Sequence, residues 1–476
     1  MTGQAFIALL PELISTGFLI LVLMVGVYTG SNAGVAASLA TIGTLAVFGS
    51  AAVLLATGFS GSYFGGGFVV DGFALYFKLI VAGSAFFAVL AAARWSGQTG
   101  DAPEYLTLIL SVLLGSTLLV SMRDLFGIFL AIELATIPSY AMVAFDRSRR
   151  ESAEGGMKYL ITGVIASSVL LYGIVLIYGV SGSAMLQDVA DTFSGTLTPV
   201  AVLGLVLMIS GFAFKLSAAP FHFWTPDAYQ GAPTSAAAFL SVGPKAATFA
   251  VLLRILLEGM PDAAPTWTAV MAFLAIITMF VGNLFALRQR NVRRMLAYSS
   301  VAHSGYILAA FAAIQGGGAV FAVQAVLIYT AAYAVMNMGA FLVIDLVGEE
   351  TKSYNGLVRR NPGVAASMAL FMAALVGIPP LSGFFGKLWI IIAGAQSGSI
   401  LVYIVVGALV VNTVLSVPYY FGIIRNMILE EPTTETARAK GSGALRFCVY
   451  VLAVLTTLFG LLIIPLSALV GASGLA

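Results

Sequence analysis

Charge is scarce in this sequence: 9% of its 476 residues are Asp, Glu, Lys or Arg. A soluble domain carries roughly 25%, so this chain cannot cover a water-facing surface. That excludes a soluble enzyme, a nucleic-acid binder and a disordered scaffold. Cysteine and histidine are scarcer still. The lone cysteine, Cys448, lies in an apolar run, which excludes an intrachain disulfide and an all-cysteine metal or iron–sulfur site. The two histidines, His222 and His303, argue against a conventional zinc site. There is no G-x-G-x-x-G after a strand and no G-x-x-x-x-G-K-[ST], so nucleotide binding has no support. Basic residues are absent before Lys78, so the apolar N-terminus reads as a retained first span rather than a cleaved signal peptide.

What the chain has instead is apolar length. Hydrophobic residues make up 60% of it, and a membrane-crossing helix takes about 20 of them. A transmembrane β-barrel would alternate apolar and polar residues and would not be so apolar throughout. The expected fold is therefore an all-α, multi-pass integral membrane protein. Gly, Pro and charge break the sequence into fourteen expected spans: 6–28, 34–57, 71–93, 104–121, 125–145, 159–180, 199–219, 234–257, 266–287, 295–314, 319–347, 364–395, 401–424 and 445–470. Arg123 and Asp124 mark the turn between the fourth and fifth.

The basic residues test this division. Connections after odd-numbered spans hold Arg94; Arg147, Arg149, Arg150 and Lys158; Arg288, Arg290, Arg293 and Arg294; Lys352, Arg359 and Arg360; and Arg425, Arg438 and Lys440, with Arg446 beside them at the head of the fourteenth span. That is sixteen of the 22, against Arg123 alone on the other side. The positive-inside rule puts the odd-to-even connections in the cytoplasm and both termini on the periplasmic side.

Five basic residues remain, all within expected spans: Lys78, Lys215, Lys245, Arg254 and Lys387. Arg254, near a helix end, is expected to snorkel to the interface, and Asp71 to be solvated. Glu133 and Lys245 fall near the middle of the fifth and eighth spans. A charge at such depth costs about 2.5–3.5 kcal/mol on insertion scales and usually faces a bundle interior or water. With one central carboxylate among three or four buried lysines, a purely structural ion pair does not account for them all. A lysine gains and loses its proton as its surroundings change, whereas arginine stays charged. The choice of lysine favours a proton relay.

Two spans are interrupted. The twelfth would be about 48 Å long as one helix, well beyond the roughly 30 Å hydrocarbon core. Its middle reads Gly377-Ile378-Pro379-Pro380-Leu381-Ser382-Gly383, followed by Phe384-Phe385-Gly386-Lys387. The seventh runs through Lys215-Leu216-Ser217 into Ala218-Ala219-Pro220. Broken helices in corresponding positions of two halves point to a transport site. Spans four to eight (104–257) and nine to thirteen (266–427) would form two inverted five-helix repeats, flanked by helices 1–3 (1–103) and helix 14 (445–470). His303 lies between the repeats in sequence order and is a titratable bridge or a satisfied core residue. His222, in the connection 220–233, reads as structural. Lys78 lies outside both repeats. Lys78 and His222 are secondary candidates.

The runs FKLSAAPFHFWTPDAYQGAPTSAAAFLSVGPKAA (214–247), MLAYSSVAHSGY (295–306) and GIPPLSGFFGKLW (377–389) resemble the subunit N family of bacterial NADH–quinone oxidoreductase, respiratory complex I. The wider family comprises three antiporter-like subunits and the Mrp-type sodium/proton antiporters. The resemblance spans nearly the whole chain. It implies a proton-translocating membrane subunit of the bacterial inner membrane, with Glu133 and Lys215 as a carboxylate–lysine pair, Lys245 as the central lysine, Lys387 as the lysine of the second broken helix and His303 as a connector. It also implies that FMN, the iron–sulfur clusters and the quinone site belong to partner subunits, with no cofactor or metal on this chain. The implied partners are subunit M, small membrane-arm subunits and lipids, with no nucleic acid. The rival readings are an Mrp-type antiporter subunit and a scaffold that transports nothing.

Overall fold

The computed structural model describes residues 3–29, 32–99, 101–195, 197–314, 316–432 and 443–462. Arg438, Lys440 and the end of the fourteenth expected span fall outside them, as does the side chain of Arg94. Eleven of the described helices are long and apolar enough to cross a membrane. The chain divides into two compact units, Met1–Leu216 with Gly243–Val270, and Ser217–Val242 with Met271–Gly471.

The first unit holds seven principal helices: α1 (Leu10–Thr29), α2 (Ala33–Ala56), α3 (Gly72–Thr99), α4 (Ala102–Leu119), α5 (Leu125–Val143), α6 (Arg150–Ser181) and α7 (Pro199–Lys215). It also takes the second half of α8 (Thr234–Arg254). Starts follow local chemistry. Asp124 caps α5 by accepting from Gly127 N (2.6 Å), and Thr198 caps α7, which opens on Pro199. A two-stranded hairpin, Gly61–Tyr63 against Phe68–Val70, joins α2 to α3. In lipid, helices gain little from apolar burial and associate through close packing of small residues. The α6–α7 contact uses this: a Cβ on Gly173 would lie 2.6 Å from Met208 N, and one on Gly204 would lie 3.1 Å from Gly173 O. That approach presses Ser167 of α6 toward the end of α7.

The second unit contains a short helix, Trp224–Gly231, and most of α9 (Ala264–Ala286). It continues with α10 (Val292–Ala312), α11 (Ala319–Val347), α12 (Pro362–Val376), α13 (Ser382–Ser397), α14 (Ile400–Leu429) and α15 (Gly443–Leu461). Helix α11 is central, packing on α10, α12, α13 and α15. The apolar faces of α1 and α14 are exposed, as at Ile20, Leu21, Val410 and Val414, a pattern suited to lipid.

Both interruptions form where Gly and Pro punctuate the sequence. α7 ends at Lys215; Ser217 takes a left-handed backbone (φ 58°), and the Ala219–Pro220 bond is cis. α12 ends at Gly377 (φ 93°), whose N–H is shared between the carbonyls of Ala373 and Ala374, and helix resumes at Ser382 after the cis Pro379–Pro380 bond. Glycine is favoured at 377 by its left-handed φ; a Cβ there would also stand 3.3 Å from Lys387 Cδ, a contact that a small shift of that flexible side chain relieves.

Candidate functional site

A helix end leaves carbonyls without intrahelical partners and carries partial negative charge. Each break presents such an end, and each meets a lysine. Lys215 is the last residue of α7. Its ammonium donates to Thr136 Oγ1 (3.0 Å) on α5 and Ser167 Oγ (3.2 Å) on α6, and lies 3.4 Å from Glu133 Oε1. Ser167 in turn donates to the same carboxylate oxygen (2.6 Å). The Lys215 side chain is 6% exposed and that of Glu133 20%. At 3.4 Å the ion pair is loose, and the hydroxyls carry the shorter contacts. Tyr140 and Tyr159 stack edge-to-face beside it (4.6 Å), with Ser139 donating to the Tyr159 hydroxyl (3.1 Å).

Lys245 belongs to the same unit. It is 3% exposed on α8, directly after Pro244. That helix is buried on nearly all sides, as expected of one apolar around its whole circumference.

In the second unit Lys387 Nζ reaches back along the break to donate to Val376 O (2.8 Å), one of the carbonyls that the end of α12 exposes. The ammonium also stands 4.5 Å from the centre of the Tyr306 ring, within cation–π range. His303 is buried and held at both nitrogens: Nδ1 pairs with the Tyr329 hydroxyl (2.9 Å) and Nε2 with that of Tyr420 (3.1 Å). The Tyr420 hydroxyl also contacts Ser299 Oγ. A second polar string lies alongside. Asn283 donates to the Tyr306 hydroxyl (3.1 Å) and to Asn412 Oδ1 (3.0 Å), and accepts from Tyr419 (2.8 Å). The His303 and Tyr306 rings meet edge-on at 5.4 Å. Hydroxyls, amides and an imidazole thus run from Ser299 to the face of the ring over which Lys387 sits.

The structure therefore joins Glu133 to Lys215, and sets His303 and Lys387 on either side of one tyrosine-rich cluster. His222 is buried in the segment after α7 with its ring against Phe223 (4.5 Å). Lys78 is fully buried, but against Glu12 (2.7 Å), a carboxylate the sequence reading passed over.

Two expectations fail. Arg254 does not snorkel and Asp71 is not simply solvated. Arg254 is 0% exposed, forked onto both oxygens of Asp71 (3.0 and 2.9 Å), with its other terminal nitrogen on Glu258 (2.8 Å). Arg123 closes the group on Glu258 (2.7 Å). Arg293 and Arg294 likewise do more than decorate a loop. Arg293 is 4% exposed, donates to Ala232 O (2.8 Å) and pairs with Glu349 (3.1 Å), while Arg294 holds Asp227 (2.5 Å) and Gln230 Oε1 (3.0 Å) of the short helix.

Ser167, Thr136, Asn283, Tyr306, Tyr329 and Tyr420 were not singled out from sequence. One signal was present: Ser299, His303 and Tyr306 recur at helical spacing on one face of α10.

Known proteins share this architecture. The family described as "NADH:quinone oxidoreductase/Mrp antiporter, TM" matches residues 122–416. The chain is 72% identical over 476 residues to NADH-quinone oxidoreductase subunit N of Rubrobacter xylanophilus, covering 100% of this chain and 99% of that one. A chain of respiratory complex I from Thermus thermophilus superposes with a TM-score of 0.82 at 30% identity, over 98% of this chain and 100% of that one. A chain of the Mrp complex from Dietzia sp. DQ12-45-1b gives 0.86 at 21% identity, over 99% and 97%, a likeness of fold alone. The chain belongs to the NADH:quinone oxidoreductase/Mrp antiporter family of transmembrane proteins.

Proposed function

We propose that this chain is the subunit-N-type membrane component of a bacterial NADH:quinone oxidoreductase, and that it translocates protons across the inner membrane through Glu133, Lys215, Lys245, His303 and Lys387. In this reading the fourteen spans, the two inverted repeats (104–257 and 266–427) and the periplasmic termini stand as the sequence divides them. FMN, iron–sulfur clusters and quinone reside in partner subunits, and subunit M and small membrane subunits are its neighbours. The chain supplies the translocase function and leaves redox chemistry to others.

The observation that carries the reading is the loose Glu133–Lys215 contact at the carbonyl end of α7. In a pair at 3.4 Å the ammonium is already held by the hydroxyls of Thr136 and Ser167 as well as by the carboxylate. Protonation of Glu133 removes the negative charge facing Lys215, and the ammonium shifts to its hydroxyl partners. That change in field alters the proton affinity of Lys245. A proton entering from the cytoplasmic side near Glu133 and Lys215 then passes by way of Lys245 and His303 to Lys387, with the tyrosine and asparagine hydrogen bonds bridging the last steps.

Purification of the tagged chain from its native membrane tests the assignment. A very large complex that oxidises NADH and shows flavin and iron–sulfur absorbance is expected. Recovery with antiporter subunits alone, without flavin, would make it an Mrp-type component instead. A finer test is Glu133→Gln, which keeps an oxygen for Ser167 but removes the charge. NADH-driven proton uptake by everted membrane vesicles should fall about tenfold, within the range of coupling between linked sites, while the assembled complex keeps its abundance. Unchanged uptake would refute the pair's role.

A further inference from the structure

The first three helices hold a buried pair for which the proposed path has no use. Glu12 of α1 and Lys78 of α3 approach to 2.7 Å with side chains 5% and 0% exposed. The contact is close but lies off the hydrogen-bonding direction: neither carboxylate oxygen nor the ammonium has a hydrogen-bond partner among the described residues. Ser15, one turn beyond Glu12 and 0% exposed, likewise has a hydroxyl without one. The Phe68 ring of the hairpin faces the ammonium at 5.1 Å.

The helices around the pair carry little other charge. Helices α1 and α3 pack on α2 and α4. α2 carries no ionisable residue, and α4 carries only Glu104, in its first turn, besides Tyr105. On α1 and α3 themselves the other charged residue is Arg94, near the end of α3. Glu12 and Lys78 are thus the two charges at depth in this part of the chain, and they meet.

A buried ion pair is favourable only when further hydrogen bonds satisfy its remaining protons and lone pairs; otherwise an apolar pair of similar volume serves as well or better. Here several donor and acceptor positions on three adjacent groups stay open. Water fills polar sites of this kind, making about three hydrogen bonds to otherwise unsatisfied groups. Water at the pair would complete the hydrogen bonding that the ion contact alone leaves open.

We propose that Glu12, Lys78 and Ser15 form a second carboxylate–lysine site, hydrated and proton-holding, separate from the Glu133–Lys215 pair and outside the two five-helix repeats. Its ligands are water and a proton. The proton arrives from water and forms an O–H bond on the Glu12 carboxylate while water takes over the contacts of the Lys78 ammonium, and that O–H bond breaks again when the proton returns to water. This role rests on the proton-translocating reading of the chain.

The test is the double variant Glu12→Gln/Lys78→Met in the intact complex, with Lys245→Ala measured beside it. The double variant leaves no uncompensated charge, so assembly should persist. Proton uptake should fall about tenfold. If the double variant pumps at the wild-type rate while Lys245→Ala does not, the site is structural and the proposal fails alone. If both pump normally, the translocating role of the chain fails with it. Hydration is tested separately with Ser15→Cys and a small water-soluble thiol reagent, read by the mass of this subunit. Labelling at position 15, with buried Cys448 unlabelled, is expected; an unlabelled position 15 would show a dry pair and overturn the proposal.

Discussion

Replacing Lys245 by alanine should nearly abolish NADH-driven proton uptake, by about 10²-fold or more, with the assembled complex retained. The size follows from chemistry: a positioned group that takes up and hands on a proton is typically worth 10²–10⁴-fold. Alanine removes the amine and leaves room for water, but water there has no comparable basicity. Retention of the fold follows from the helix. Alanine favours α8, and the lost side chain carries a buried charge whose removal offsets part of the lost packing. Lys245→Arg sharpens the point, because it keeps a cation of similar reach that does not release its proton at physiological pH. A static charge role predicts that arginine restores uptake; a relay predicts that it does not. Wild-type uptake in Lys245→Ala would exclude Lys245 from the path.

The legible part of this molecule is the part governed by scarcity. Apolar runs of helix-crossing length have few alternatives in a chain with so little charge, so the helices fall close to where composition places them. The break at Gly377–Pro380 was the more legible, since two prolines and a glycine in four residues cannot continue a helix, whereas Ser217–Pro220 offers a single proline. The lysines stood out for the same reason. What sequence did not yield is partnership between remote helices. Glu12 is 66 residues from Lys78, and Asp71 is 183 from Arg254; nothing local marks either pairing. Tyrosine is the other blind spot. It is common in apolar spans for its ring alone, so Tyr329 and Tyr420 signal nothing until the structure sets both hydroxyls on His303.

Arg254 illustrates how a remote pairing becomes the largest stability term available to test. Arg254→Leu should lower the stability of the first unit by about 3 kcal/mol, the lower end for stripping one partner from a buried pair, and should be seen as loss of assembled complex at elevated temperature. The loss is not symmetrical among its contacts. Glu258 retains Arg123 at 2.7 Å, so it stays compensated. Asp71, with a side chain 23% exposed, loses both bonds from the guanidinium nitrogen and, among the described residues, keeps the N–H of Ala74 (2.7 Å) to accept from at the head of α3. The cost should therefore concentrate on one carboxylate, and a second change should relieve it. Asp71→Asn keeps an oxygen for the Ala74 N–H, preserving the helix cap, but carries no charge. Arg254→Leu/Asp71→Asn should recover most of the lost stability, whereas Arg254→Leu/Glu258→Gln should not, because it leaves both Asp71 and Arg123 unpaired. Equal recovery by the two double variants would show that the guanidinium acts by filling space against Phe73, whose ring lies 5.2 Å away, rather than by charge.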